Sequence, residues 1–249
     1  MTLTAPSTQL PARLVLRGAG FAVPGKEILR GLDADLAVAR LGVVGRNGSG
    51  KSTLARLVAG LIAPTAGTVE INGHDLAKDR KAALREVGIL FQNPDHQIIF
   101  PTVLEEMAFG LMQQGQAKPE AEAEARAVLA RFGKARWEEA HVTALSHGQK
   151  HLLCLMAVVA MGPGLLVLDE PYAGLDIPTK RQLARALERY KGTVLHISHD
   201  PDDLAGYDHV LWLEAGEIAS QGPAAEVLPA YRDAMEARGA GDDLSDLSG

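Results

Sequence analysis

A single cysteine, Cys154, occurs in the whole chain, and it sits inside an apolar run. No intrachain disulfide is possible, so a reducing compartment fits best, and the thiol itself reads as a small buried hydrophobe. No run of about 18 apolar residues occurs either; the longest candidate, residues 152–161, suits only a buried helix. The opening stretch MTLTAPSTQLPARLVLRG lacks the charged start and apolar core of a secretion signal. Secretion and membrane spanning are both unsupported; if the chain serves a membrane, it does so from the cytoplasmic side. Lysine and arginine form no block dense enough to track a phosphate backbone, and the formal net charge is −6, so nucleic acid is not expected as a partner.

The chain has 47% hydrophobic and 22% charged residues, the composition of an ordinary globular protein. Its 249 residues suffice for one large domain or one domain with a lobe. Residues 1–12 carry Pro, Ser and Thr and read as a disordered arm; residues 236–249, ending in GAGDDLSDLSG, read as an acidic flexible tail. The domain is expected over 13–235.

Hydrophobic periodicity organises that domain. RLVLRGAGFAV and EILRGLDADLAV alternate as strands of an antiparallel lobe do. LGVVG is a short continuous apolar strand, and KSTLARLVAGLI after it carries apolar residues at helical spacing. GTVEINGHDL returns to strand with an Asn-Gly turn. Residues 101–132 read as helical, the charges of PEAEAEARAVLARF forming a solvated face. GLLVLDEP, TKRQLARALERYKG, TVLHISHD and HVLWLEAGEIASQG then read as buried strand, amphipathic helix, buried strand and Gly-turned hairpin. Apolar strands alternating with helices imply an α/β class, a parallel sheet covered on both faces. No internal repeat is visible.

Gly45, Arg46, Asn47, Gly48, Ser49, Gly50, Lys51 and Ser52 fit G-x-x-x-x-G-K-[ST] between a predicted strand and a predicted helix, the context that confirms such a match. Backbone N–H groups and the helix N-terminus would cradle a β-phosphate; Lys51 would neutralise β/γ charge and Ser52 would ligate Mg2+, with Thr53 next to it in the nucleotide-binding set. LLVLDEP ends an apolar strand with Asp169 and Glu170 at the edge of a parallel sheet where ligands bind. Asp169 suits the Mg2+ shell, and Glu170 is placed to polarise a water in line with the γ-phosphate. An Asp-Glu pair alone is more often surface charge; a phosphate loop upstream reverses that reading. The segment LSHGQ puts Ser146 and Gln149 at capping-box spacing before an apolar run, and such a helix tip is an anion site.

In order and spacing, residues 13–227 resemble the nucleotide-binding subunits of ATP-binding cassette proteins. The resemblance implies a P-loop NTPase fold with a RecA-like parallel-sheet core, an antiparallel β lobe and a helical subdomain at about 93–160. It implies that LSHGQ, with Ser146, His147, Gly148 and Gln149, is the signature motif, that Gln92 in FQNPD is the Q-loop glutamine, that Asp176 closes the D-loop AGLD, and that His199 in HISHD is the switch histidine. Catalysis would then rest on Glu170, His199 and Gln92, with Mg2+ held by Ser52, Gln92 and Asp169. Two ATP molecules would lie in a head-to-tail dimer, each between Lys51 of one chain and Ser146 of the other. Taken singly, His199 reads as a strand-end histidine and Gln92 says almost nothing; the joint order carries the reading.

Three positions depart from the family. Val23 stands where an aromatic ring usually stacks on adenine, so apolar contact would replace stacking. His147 replaces a glycine, which costs strain only if the backbone there needs positive φ. Leu152 replaces an arginine three residues beyond the signature glutamine, so a contact to the Q-loop would be lost. His147 and His151 share the i, i+4 spacing of a metal pair, but no third ligand is evident.

FQNPDHQIIF further resembles the ATPases of energy-coupling factor transporters for vitamins or cobalt and nickel. Asp95, Gln97, Ile98, Ile99 and Phe100 would form the surface that meets a membrane T-component, with one or two of the last three packing in the helical lobe instead. Partners would be a second ATPase, either a copy or a paralogue, plus T- and S-components, at the cytoplasmic face of the membrane. The cargo is not readable from a motor subunit. The alternatives are an ATPase of another cassette importer class or a soluble cassette ATPase outside transport; the latter calls for a long inserted arm or a basic surface, and the sequence has neither. A small-molecule kinase would need an acceptor pocket and lid where the cassette motifs stand, and a GTPase would need Asn-Lys-x-Asp, which does not occur.

Overall fold

The computed structural model describes residues 11–239. Most of the expected arm and tail, residues 1–10 and 240–249, lies outside them. Both inner boundaries shift. Ala12, placed in the arm by composition, is buried and donates its N–H to Thr193 Oγ1 at 2.7 Å. Residues 236–239, placed in the tail, continue the last helix.

The antiparallel lobe consists of β1 (Leu14–Val23), β2 (Lys26–Leu36), β4 (Ala66–Ile71) and β5 (His74–Asp75), in the order β2-β1-β4-β5. The Asn-Gly signal makes the β4–β5 turn, with Asn72 at φ 53° and Gly73 at φ 82°, the mirror-image turn that suits the strand twist. The second sheet holds β3 (Arg40–Val44), β6 (Val87–Leu90), β7 (Leu165–Asp169), β8 (Thr193–Ile197), β9 (His209–Glu214) and β10 (Glu217–Pro223). Its order is β10-β9-β3-β8-β7-β6; all neighbours are parallel except the β9–β10 hairpin. Every residue of β7 and β8 is buried, as central strands covered on two faces must be.

Helices α1 (Lys51–Val58) and α2 (Arg80–Glu86) lie on the lobe side. There Leu29, Leu54, Leu57 and Ile71 pack with Val167, Leu195 and Leu211. The expected helical stretch 101–132 is two helices, α3 (Val103–Gln113) and α4 (Lys118–Arg131), because the chain turns at Gly115 and restarts with Pro119 in the first turn. With α5 (His147–Ala160) they build the helical lobe. Ala121, Ala125, Val128 and Leu129 form the buried stripe of α4, and its glutamates face outward.

On the opposite face, α6 (Ile177–Glu188) packs Leu183 and Leu187 near Leu166, Leu168 and Val194, and α7 (Ala224–Gly239) covers Val44 and Val210. The register Leu168↔His196, Gly42↔His196 and Gly42↔Val210 puts these side chains on one face. Among the described residues no helix is long and apolar enough to cross a membrane.

Candidate nucleotide-binding site

The loops that leave the C-terminal ends of β3, β6, β7 and β8 converge on one cleft of about 590 Å³. Its walls include Asn47, Gly48, Gly50, Lys51, Ser52 and Thr53 from the loop after β3, Gln92 after β6, Glu170 after β7 and His199 after β8. A parallel sheet puts these loops at one edge, which is why residues so distant in sequence meet.

The loop after β3 is shaped by close approach. Gly50 caps α1 at φ 100°, and a Cβ there would stand 2.5 Å from Leu29 Cδ2. Lys51 folds back into the loop and donates to the carbonyls of Gly45 at 2.7 Å and Arg46 at 3.0 Å. Burial lowers its pKa, against which the charges of Glu170 and Asp169 work. Ser49 Oγ is buried in the loop with no hydrogen-bond partner, a donor that a phosphate oxygen would satisfy.

Ser52 Oγ donates to Asp169 Oδ1 at 3.1 Å. Asp169, the last residue of β7, is buried; burial raises its pKa and the Ser52 hydrogen bond lowers it. Glu170 follows at φ 52°, a left-handed conformation uncommon outside glycine. It is held there by its N–H to Ile197 O at 3.0 Å and by its C=O, which accepts from Ala173 N–H at 3.1 Å. The turn aims the carboxylate at His199: Glu170 Oε2 and His199 Nδ1 are 2.6 Å apart, the glutamate side chain 12% and the imidazole 62% exposed.

Val23 ends β1, 41% exposed and outside the cleft wall. Lys26, its cross-strand partner, lines the wall with Glu27 and Ile28. These three were not singled out from sequence; the Pro24-Gly25 hairpin turn was the available signal, since it brings β2 back beside the phosphate loop.

Ser146 N-caps α5 in a full capping box: Ser146 Oγ accepts from Gln149 N–H at 3.3 Å, and Gln149 Oε1 accepts from Ser146 N–H at 2.8 Å. The N–H groups of His147 and Gly148 are first-turn donors that a helix leaves without intrahelical partners. His147 has a helical φ, so replacing glycine costs no strain there. Gly148 is the constrained position: a Cβ on it would meet Thr179 Cγ2 at 2.8 Å. Asp176 caps α6 by accepting from Thr179 N–H at 3.0 Å, contacts with Thr179 that lower its pKa. Neither Ser146 nor Asp176 lines the cleft of its own chain.

His147 and His151 have ring centroids 6.0 Å apart, but among the described residues no group of three His, Cys, Asp or Glu could hold a metal. His151 is fully buried with both ring nitrogens unpartnered, and burial, helped by His147, pushes its pKa down to about 4. Leu152 is a core residue of the helical lobe.

In the segment after Gln92, Asp95 pairs with Lys150 at 2.7 Å. Gln97 turns inward: its amide accepts from Phe91 N–H at 3.2 Å and donates to Ile89 O at 3.3 Å, extending the free edge of β6. Ile98 packs on the lobe core and the Phe100 ring lies 5.0 Å from Phe109. Ile99 stands out, 69% exposed. Glu106, unnoticed in the sequence, fixes this arrangement: it is buried, and its Oε2 accepts from the N–H groups of both Ile99 and Phe100 at 2.9 Å. Its helical spacing beside Val103 and Met107 marked it as inward-facing.

A family model described as ABC transporter matches residues 36–173. A biotin transport ATP-binding protein, BioM, of Rhodobacter capsulatus is 49% identical over 213 residues, covering 86% of this chain and 91% of that protein. A nickel import ATP-binding protein, NikO, of the same organism is 40% identical, covering 86% and 90%. Among solved structures, cbiO1 from Clostridium perfringens, part of the ABC transporter complex cbiONQ, superimposes with a TM-score of 0.74 at 26% identity, covering 90% of this chain and 93% of that one.

Proposed function

Because this chain belongs to the ATP-binding cassette transporter family of ATPases, we propose that it is the ATP-hydrolysing subunit of an energy-coupling factor importer, working as a head-to-tail dimer at the cytoplasmic face of a membrane. The observation that carries the catalytic reading is the meeting of Lys51, Ser52, Gln92, Glu170 and His199 in one cleft at the edge of the parallel sheet.

The phosphate loop and Lys51 hold the β- and γ-phosphates of ATP; the buried, unpartnered Ser49 hydroxyl and the Lys51 ammonium supply donors for them. The oxygens of Ser52 and Asp169, 3.1 Å apart, with the amide oxygen of Gln92, are the hard donor set that Mg2+ takes. When bound, Mg2+ neutralises phosphate charge. Glu170 accepts the proton of a water as that oxygen bonds to the γ-phosphorus and the bond to the β–γ bridging oxygen breaks. His199 occupies Oε2 of Glu170 and so leaves Oε1 for the water.

Ser146 and the first-turn N–H groups of His147 and Gly148 meet the γ-phosphate on the partner copy, with Asp176 beside them. ATP then favours the closed pair because only closure makes both sets of contacts, and cleavage removes the bridge. Val23, outside the cleft wall but paired with Lys26 across the hairpin, adds apolar contact to the base site that Lys26, Glu27 and Ile28 line. Residues 93–160 act as the helical subdomain, and Asp95 and Ile99 lead the surface for the membrane T-component, with Gln97, Ile98 and Phe100 supporting it from inside. The names of the relatives support a vitamin or transition-metal cargo, held by an S-component; biotin is the first to test, on the higher identity of the biotin transport relative.

The test is Glu170→Gln, which removes the base and keeps the fold. The variant is expected to bind Mg-ATP, shift to twice its mass and lose turnover by about a hundredfold or more. A monomer persisting in saturating Mg-ATP overturns the dimer reading, and retained turnover overturns the role of Glu170.

A further inference from the structure

The segments after β7 and β8 touch twice. On the cleft side Glu170 meets His199. A second connection runs through the residue beside His199. Ser198, 2% exposed, donates its Oγ to Asp203 Oδ2 at 3.0 Å and accepts at the same oxygen from Asp200 N–H at 3.1 Å. The other oxygen of Asp203 pairs with Lys180 Nζ at 2.6 Å, the aspartate side chain being only 10% exposed.

Lys180 sits in the first turn of α6, where its N–H bonds to Asp176 O at 2.9 Å. Its ammonium also lies 5.0 Å from the ring centroid of Tyr172, two residues beyond Glu170. The Tyr172 ring meets His196 edge-on at 5.3 Å, and His196 Nδ1 lies 2.8 Å from Tyr207 Oη. Glu170, His199, Ser198, Asp203, Lys180 and Tyr172 thus close a circuit around the ends of two parallel strands.

We propose that Lys180, Asp203 and Ser198 form a positioning relay that holds His199 against Glu170 and makes that contact depend on the placement of α6 and its capping residue Asp176. The proposal rests on the reading of Glu170 and His199 as the hydrolytic pair. The physical reason is geometric. His199 is largely exposed, its imidazole bonded to Glu170; the residue before it, Ser198, is buried. Ser198 is oriented by a nearly buried carboxylate, and that carboxylate is set by one cation carried on α6. None of the three lines the nucleotide cleft, so their effect on turnover passes through His199.

The experiment measures ATP turnover of the full chain for Lys180→Met, Ser198→Ala, their double variant, Lys180→Arg and Glu170→Gln. Each of the first two is expected to lower kcat about tenfold and leave KM for ATP within about twofold, the pattern of lost transition-state positioning. Members of one relay act in series, so the double variant should be no slower than about the slower single one. Lys180→Arg keeps the cation and should restore at least half of the activity.

Unchanged kcat in Ser198→Ala, or a double variant whose loss is the product of the two singles, overturns the relay. Should Lys180→Met fail to fold, Ser198→Ala decides, since it removes one hydroxyl and leaves the ion pair. If Glu170→Gln keeps its turnover, the hydrolytic pair itself is wrong; if it loses turnover and the relay variants do not, only the relay is.

Discussion

Ser52 Oγ lies 3.1 Å from Asp169 Oδ1 across 117 residues of sequence. The contact joins the first turn of the helix after the phosphate loop to the end of β7, so each segment holds in place the oxygen that we propose as the other's Mg2+ ligand. Ser52→Ala removes the proposed Mg2+ ligand and the hydrogen bond that lowers the pKa of Asp169. Nucleotide affinity with Mg2+ is expected to fall about tenfold, with a smaller change in its absence. Titrations with and without the metal check this; equal losses in both would remove Ser52 from the metal shell.

His151 makes the fold acid-sensitive. Its folded pKa of about 4 lies below the ordinary value near 6.5, so the unfolded chain binds more protons between these limits. The stability contributed by the neutral ring is fully present above about pH 6.5 and is lost as pH falls toward 4, by up to about 3 kcal/mol. His151→Leu is expected to flatten the stability profile across that window. Part of the slope should persist, because burial pushes His196 down to about 3. Urea midpoints at pH 7 and pH 5 give the comparison, and an undiminished slope in the variant would refute it.

Gly148 is held small by a neighbour from another helix. Gly148→Ala places a methyl group 2.8 Å from Thr179 Cγ2 and is expected to cost about 1–2 kcal/mol. Thr179→Ala should recover most of that loss in the double variant, since it removes the obstructing atoms. Thermal melts of the four proteins read out the cycle; additivity would mean that the crowding lies elsewhere.

Ile99 is displayed, not packed. Ile99→Asp is expected to change stability by less than about 0.5 kcal/mol, as exposed substitutions do, and to abolish co-purification with integral membrane proteins. Chromatography of detergent-solubilised membranes checks it. Undiminished association would move the docking surface away from this loop.

Much of the site could be read in one dimension because its residues keep fixed positions relative to elements whose periodicity is strong. Lys51 and Ser52 had to stand at the start of an apolar-periodic helix, and Asp169 at the end of an uninterrupted apolar strand. The roles of single polar residues in the segment after Gln92 were less legible. Gln97 looks outward in the sequence but pairs with the edge of β6, and Glu106, whose helical spacing points inward, clamps Ile99 and Phe100, a partnership that spacing does not show. The split of residues 101–132 is marked by Gly115 and Pro119, but the helix formers on both sides let the whole stretch read as helical. Val23 was singled out by alignment; the residues of that hairpin that line the cleft are Lys26, Glu27 and Ile28 from the returning strand.

What the sequence determined by itself was local: the phosphate loop, the capping box at Ser146, the strand ending in Asp169 and Glu170, and the class of fold, since these depend on dihedral preference and on hydrophobic spacing within a few residues. What only the tertiary structure decided was which distant groups meet. The left-handed turn that aims Glu170 at His199 and the tie from Lys180 through Asp203 to Ser198 arise where parallel strands lie side by side, and the burial of His151 without a partner arises from the packing of α5. The strand order depends on the packing of both sheet faces at once, which no short window of residues encodes.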